Sequence, residues 1–375
     1  MREVMGMPLE RLVERYTKEE KLGEGGVGVA YKAEGIKDRK LYVIKIFDIN
    51  KIKNSISDSE ARRLGVNKEA LALQILEEML ENNKRIKEIL EERKGERGWN
   101  NIKYIEEVGD IDAPYVVTEY IRYNLREYMS SKGRIDPHQA LRIVLDVATG
   151  LKFIYESTKS SRHPIIAHTD VCPENIYIDV DERGEIKTVK LGDFDGAWIP
   201  EISIHPIMIH MDYKPPEGKP SEKFDVYALG IILAELIGGK RAIELLKEKG
   251  TVDEIDELRE FKELIEKSTE RKENRMTVDE FIKTIENMNI KEVIKGSIKE
   301  ICEEWLDILE DYKRRYRERP IPVPQENMLR SISSKFDELI DIWHKESLSK
   351  LNPLINEIRS DLEDLKEMRR STRSG

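Results

Sequence analysis

The run His168-Thr169-Asp170-Val171-Cys172-Pro173-Glu174-Asn175, followed by Asp193-Phe194-Asp195, holds the residues best suited to chemistry. An aspartate five positions ahead of an asparagine, then a second aspartate beyond a short apolar segment, is the set that phosphoryl transfer from MgATP needs. In that chemistry Asp170 orients the attacking hydroxyl. The amide oxygen of Asn175 and the carboxylate of Asp193 hold Mg²⁺ against the phosphates.

Such groups need an element that grips the phosphates. Gly23-Glu24-Gly25-Gly26-Val27-Gly28, preceded by Leu22, suits either of two designs. A dinucleotide fold places glycines of this spacing where a strand turns into a helix. A phosphate flap places them between two strands. The residues that follow, Val29 to Ala33, a turn at Glu34-Gly35, then Leu41 to Phe47, are β-like, so the flap is expected. Within the second strand, Lys45 stands alone in the apolar run Tyr42-Val43-Ile44-Lys45-Ile46-Phe47. By itself such a lysine is better explained by a snorkelling edge position than by a ligand. Asn67 to Leu76 reads as a helix whose start is blurred by the segment from Asn50 to Val66. Pro114 to Ile121 reads as a buried strand with a short polar exit.

In this order the segments resemble the protein-kinase superfamily. The resemblance is strengthened by Tyr213-Lys214-Pro215-Pro216-Glu217, by Phe224-Asp225-Val226-Tyr227-Ala228-Leu229-Gly230 leading into an apolar helix, and by Asn274-Arg275-Met276. It implies an α+β, bilobal fold: a small antiparallel β lobe (1–120) and a mainly helical large lobe (121–290), followed by an all-α extension (291–375). It implies ATP and Mg²⁺ as cofactors and a protein serine or threonine as acceptor. Gly23, Gly25 and Gly28 would close over the phosphates, and Lys45 would contact them with Glu69 of the next helix as its partner. Leu22, Ala30 and Val43 would line the adenine pocket, with Tyr177 as its floor and Thr118 at its gate. Glu119 and Ile121 would offer backbone groups to the base, and Arg275 would pair with Glu217.

Several positions depart from that family's pattern. Cys172 stands where a lysine usually neutralises the transferring phosphoryl group, and a thiol cannot supply that charge at neutral pH. His210 stands where a hydroxyl residue usually bridges; a protonated imidazole there would restore some positive charge, while the simpler reading is a solvated loop histidine. Thr169 replaces the arginine that grips a phosphorylated activation loop, which implies activity independent of phosphorylation. Asp195 replaces a glycine. The resulting D-F-D also looks like the aminoglycoside and choline kinases, so a small-molecule phosphotransferase is one alternative, and a nucleotide-binding pseudokinase scaffold is another.

The charge balance, 64 basic against 74 acidic residues with net charge −10, opposes a nucleic-acid partner. The basic cluster Lys313 to Arg317 is interspersed with acids and reads as a solvated helix face. Only Cys172 and Cys302 are present, so no disulfide framework is expected. Met1 to Leu9 has no apolar core of a signal peptide, and the apolar run Val226 to Ile237 is too short to span a membrane. These features point to a cytoplasmic setting. Beyond residue 290, three apolar stripes follow helical spacing: Ile290 to Tyr312, Leu329 to Trp343 and Leu351 to Met368. They are expected to form a bundle packed on the large lobe or on itself, or else a seam for a helical partner or self-association.

Overall fold

The structure, a computed structural model, describes residues 12, 14–110, 113–132, 135–182, 186–200, 202–203, 210–317, 320–344 and 348–371. The Met1–Leu9 segment lies outside them, as do the side chains of Ile290, Ile294, Trp343 and Leu351. The chain divides into two compact units, one ending at residue 283 and the other starting at residue 284.

The first unit opens with five antiparallel strands, β1 (Tyr16–Glu24), β2 (Gly28–Gly35), β3 (Leu41–Phe47), β4 (Ile105–Gly109) and β5 (Tyr115–Glu119). Their spatial order is β1-β2-β3-β5-β4. Alternation along β3 sorts its side chains between the two faces. Tyr42 and Ile44 join Leu12, Ala33, Tyr115 and Val117 in a buried cluster. The other face therefore carries Val43 and Lys45. Register places Ala30 opposite Lys45 and Thr118 opposite Val43, so these four predicted site residues share one face.

Between β3 and β4 the chain forms α1 (Ile49–Ser55), α2 (Asp58–Leu64) and α3 (Lys68–Glu92). Their starts are set by side-chain caps: Asp48 for α1, a Ser57/Glu60 capping box for α2, and Asn67 for α3. The two short helices occupy the stretch whose pattern was ambiguous in the sequence.

After β5 come β6 (Tyr123–Asn124), α4 (Leu125–Lys132) and α5 (Pro137–Thr158). A small sheet of β6, β7 (Ile176–Val180) and β8 (Ile186–Leu191) then carries the loops of interest at its ends. Below them lies α6 (Phe224–Gly238), every residue of which from Phe224 to Ile237 is buried. A helix apolar all round is stable only inside a core. It is followed by α7 (Lys240–Lys249) and α8 (Lys262–Thr269).

Two buried polar groups tie this core to the surface loops. Asp225, in the first turn of α6, accepts the backbone N–H groups of His168 at 2.7 Å and Thr169 at 3.0 Å, and the Tyr155 hydroxyl also donates to it. Arg275, with its side chain wholly buried, grips Glu217 by two hydrogen bonds of 2.6 and 3.0 Å. This is the pairing expected from the sequence.

Helix α9 (Val278–Arg315) runs from the first unit into the second, which also holds α10 (Val323–His344) and α11 (Leu348–Ser371). The unit boundary thus falls inside a continuous helix and earlier than residue 291, because the helical pattern has no break there. Ile301, Ile308, Tyr312, Ile332, Phe336, Leu339, Ile355, Ile358, Leu362 and Leu365 form one buried cluster, so the apolar stripes cover one another. Arg314 and Arg315 of the basic cluster both pair with Asp311, at 2.6 and 2.7 Å. Among the described residues, no helix is long and apolar enough to cross a membrane.

Truncating Arg275 to alanine would remove a wholly buried side chain and leave half-buried Glu217 and the Glu270 carbonyl without their partner. The expected loss of stability is about 3–5 kcal/mol, read as a lower urea midpoint; a midpoint equal to wild type would contradict it.

Candidate active site

The glycine turn is a strand–turn–strand hairpin, and no helix follows it. Its base is closed by the Gly25 N–H donating to the Gly28 carbonyl at 3.0 Å. Gly28 is required by packing, since a Cβ there would meet the Ile46 carbonyl oxygen at 2.0 Å. At Gly23 and Gly25 a Cβ would meet nothing within 4 Å, so the space over the turn is open for a ligand to approach the backbone. Leu22, beside the turn, is exposed.

Lys45 reaches from β3 to the loop after β8. Its ammonium lies 2.7 and 2.9 Å from the two carboxylate oxygens of Asp193 and 2.5 Å from Asp195 Oδ2. Burial alone would push this ammonium toward neutrality, but the charges of Asp193 and Asp195 outweigh it and raise its pKa. Burial likewise pushes Asp193 up, yet Lys45 overrides it and keeps that carboxylate ionised. Burial and the neighbouring Asp193 charge raise Asp195 above the ordinary carboxylate range, against the pull of Lys45, while both of its oxygens accept hydrogen bonds, from Lys45 and from Asn83.

The expected Lys45–Glu69 pair is not formed. Glu69 sits in the first turn of α3, exposed, with Lys53 at 3.0 Å, because the helix begins one residue before it and turns its side chain to solvent. What α3 brings to the site instead is two buried amides. Asn82 donates to the carbonyls of Asp195 and Ala197 at 3.1 and 3.0 Å, and Asn83 donates to Asp195 Oδ1 at 2.6 Å.

Asp170 and Asn175 meet directly. The Asn175 amide donates to the Asp170 carbonyl at 2.9 Å and to its Oδ2 at 2.8 Å. This spends the amide's donors on Asp170 and leaves its oxygen available as a hard ligand of the kind Mg²⁺ takes, together with Asp193. The other Asp170 oxygen accepts the backbone N–H of His210 at 2.8 Å. His210 therefore holds Asp170 through its main chain, while its ring lies 5.1 Å from that of Tyr213. Burial raises the Asp170 carboxyl, against the His210 hydrogen bond that lowers it.

Two residues here adopt left-handed backbone without being glycine, Thr169 at φ 73° and Asp193 at φ 63°. Such conformations cost roughly 1–3 kcal/mol each and persist only where the surroundings impose them. Thr169 is held by Asp225 and by its own hydroxyl on the Gly196 carbonyl at 2.9 Å. His168 joins the two loops, with Nε2 3.0 Å from the Gly192 carbonyl and its ring edge-on to Phe194.

Around the expected base pocket, Thr118 and Glu119 end β5, and Ile121 follows in the connection. The Glu119 side chain is committed locally, accepting from Tyr104 N at 2.6 Å and Lys190 at 2.7 Å. Tyr177 is half-buried, and above its ring at 3.7 Å lies the ammonium of Lys103, a residue the sequence did not single out. Burial lowers that ammonium's pKa to about 8. Cys172 is buried, and burial pushes its thiol far above the usual range, so it contributes no charge. Arg126 of α4 was also missed; it binds Glu174 at 2.9 Å, Glu235 at 2.6 Å and the Tyr213 hydroxyl. Beside it a cavity of about 720 Å³ is lined by Arg126, Glu174, His210, Tyr213 and Lys247.

A family model described as protein kinase domain matches residues 16–306. Serine/threonine-protein kinase PrkC of Bacillus subtilis is 31% identical over 147 residues, covering 37% of this chain and 21% of that protein. LysM domain receptor-like kinase 3 of Arabidopsis thaliana is 32% identical over 165 residues, 40% of this chain and 24% of its own length. Chitin elicitor receptor kinase 1 of Physcomitrium patens is 34% identical over 140 residues, 34% of this chain and 20% of that one. The chain thus spans less than a quarter of the length of each of these relatives. With the matched region covering most of the sequence and carrying both the hairpin turn and the Asp170–Asn175 and Asp193 loops, the chain belongs to the protein kinase family.

Proposed function

We propose that this chain transfers the γ-phosphoryl group of ATP to a serine or threonine hydroxyl of a protein. The observation that carries the reading is the convergence of Lys45, Asp170, Asn175 and Asp193. The first and last are in direct ion pair, and the middle two share hydrogen bonds. The acceptor oxygen attacks the γ-phosphorus as its bond to the β–γ bridging oxygen breaks, ADP departs, and the hydroxyl proton passes to Asp170. Asp170 suits that task, since both of its oxygens are held in place and burial has raised its affinity for a proton. Lys45 would bind the α- and β-phosphates under the open glycine turn. Asn175 and Asp193 would hold Mg²⁺, which when bound neutralises charge on the phosphates.

A polypeptide acceptor is favoured over a small molecule by the Glu217–Arg275 clasp, in which a wholly buried guanidinium anchors the segment after Tyr213 to the core. The cavity beside Arg126 and His210 leaves room there for acceptor side chains. Thr169, turned into the core by Asp225 and Gly196, presents no cation to a phosphorylated loop.

Asp170→Asn is expected to lower single-turnover transfer by roughly 10²–10⁴ with MgATP affinity retained; a loss under about threefold would refute the role. A base must be unprotonated to act, so the wild-type rate should fall on acidification with a midpoint above that of an ordinary aspartate, and this limb should vanish in the variant. Treatment with a protein phosphatase should leave turnover unchanged. Abolished activity would show that a phosphorylated residue is needed after all.

A further inference from the structure

A half-buried ammonium such as that of Lys45 needs a carboxylate that stays with it when nucleotide and cation arrive. Asp193 is poorly placed to be that partner, because a bound Mg²⁺ would compete for the same oxygens that now face Lys45. Glu69 faces Lys53 and solvent. The other carboxylate in contact with Lys45 is Asp195, 8% exposed, whose Oδ2 lies 2.5 Å from the ammonium. Its other oxygen is fixed by Asn83 of α3 at 2.6 Å, and its backbone carbonyl by Asn82 at 3.1 Å. A carboxylate tied at both oxygens and at its main chain has one orientation, and that orientation points at Lys45.

We infer that Asp195 is the positioning residue for Lys45: it supplies from the loop after β8 the carboxylate that Glu69 does not, with Asn83 as the strut that aims it. The inference rests on the phosphoryl-transfer reading above. Helix α3 is then joined to the loop by neutral amides. The loop and the phosphate-binding lysine move as one body, and no separate swing of the helix is needed to complete the site.

The test uses the full chain, with MgATP affinity measured by titration calorimetry, single-turnover transfer, and the Mg²⁺ dependence of both. Asp195→Ala should weaken MgATP binding by about tenfold or more and slow transfer, with the Mg²⁺ concentration for half-saturation unchanged. Asn83→Ala should act in the same direction but less. Adding Asn83→Glu to Asp195→Gly should recover most of the loss, because a carboxylate returns beside Lys45 from the helix side; a merely structural role would show no such rescue. The inference is overturned if Asp195→Ala leaves affinity and rate within about twofold of wild type. It is also overturned if the variant's defect is only a higher Mg²⁺ requirement, which would make Asp195 a metal ligand, or if the melting temperature is kept but the double variant shows no rescue. Failure of the wild-type chain to bind MgATP would instead overturn the phosphoryl-transfer reading, and the inference with it.

Discussion

The site depends on one buried carboxylate. Asp225 sits at the start of an apolar helix, where the helix N-terminus favours negative charge, and its oxygens take the N–H groups of His168 and Thr169. Burial raises its carboxyl, so these hydrogen bonds and that of Tyr155 are what make the position tolerable. The consequence runs outward in steps. Fixing Thr169 in left-handed backbone aims Asp170 at Asn175, and fixing His168 lets its ring hold Gly192 and Phe194, which flank Asp193. The core helix thereby sets the distance between the acceptor-side carboxylate and the cation-side carboxylate without touching either.

On the other side of the cleft, electrostatics sets the arrangement. Lys45, Asp193 and Asp195 bring two carboxylates and one ammonium together in a half-buried site. Two carboxylates so close cannot both ionise freely, and the protein resolves this by giving Asp193 most of the benefit of Lys45. An ion pair that is strong in the absence of ligand is also a store of binding capacity. When phosphates and a cation enter, each member exchanges one opposite charge for another, and little uncompensated charge is left at any stage.

Much of this was legible in the sequence, for physical reasons that differ by element. Period-two alternation identifies β3 and places Lys45 on the face opposite Ile44. The continuous apolar run makes α6 a core helix, and the Glu217–Arg275 pair follows from two motifs whose partners are both buried or half-buried. The Lys45 partner was not legible, because it depends on the rotational phase of α3, and that phase is set by the Asn67 cap after two short helices whose pattern is weak. A clue was present: Asn82 and Asn83 fall on the buried stripe of an otherwise apolar helix face, where an amide must find a partner. Lys103 left no comparable signal, since a lysine next to a strand reads as surface until the Tyr177 ring is seen beneath it. The second unit was clear as amphipathic helices, while its boundary was hidden by the continuity of α9.

The central claim is that Lys45, Asn175 and Asp193 together form a site for a magnesium–nucleotide complex. Titration calorimetry of ATP into the full chain, with and without Mg²⁺ and with Lys45→Ala alongside, tests it most directly. The account predicts one saturable site per chain that requires the cation and is lost in the variant. No heat with wild type at millimolar MgATP, or equal binding by Lys45→Ala, would contradict it.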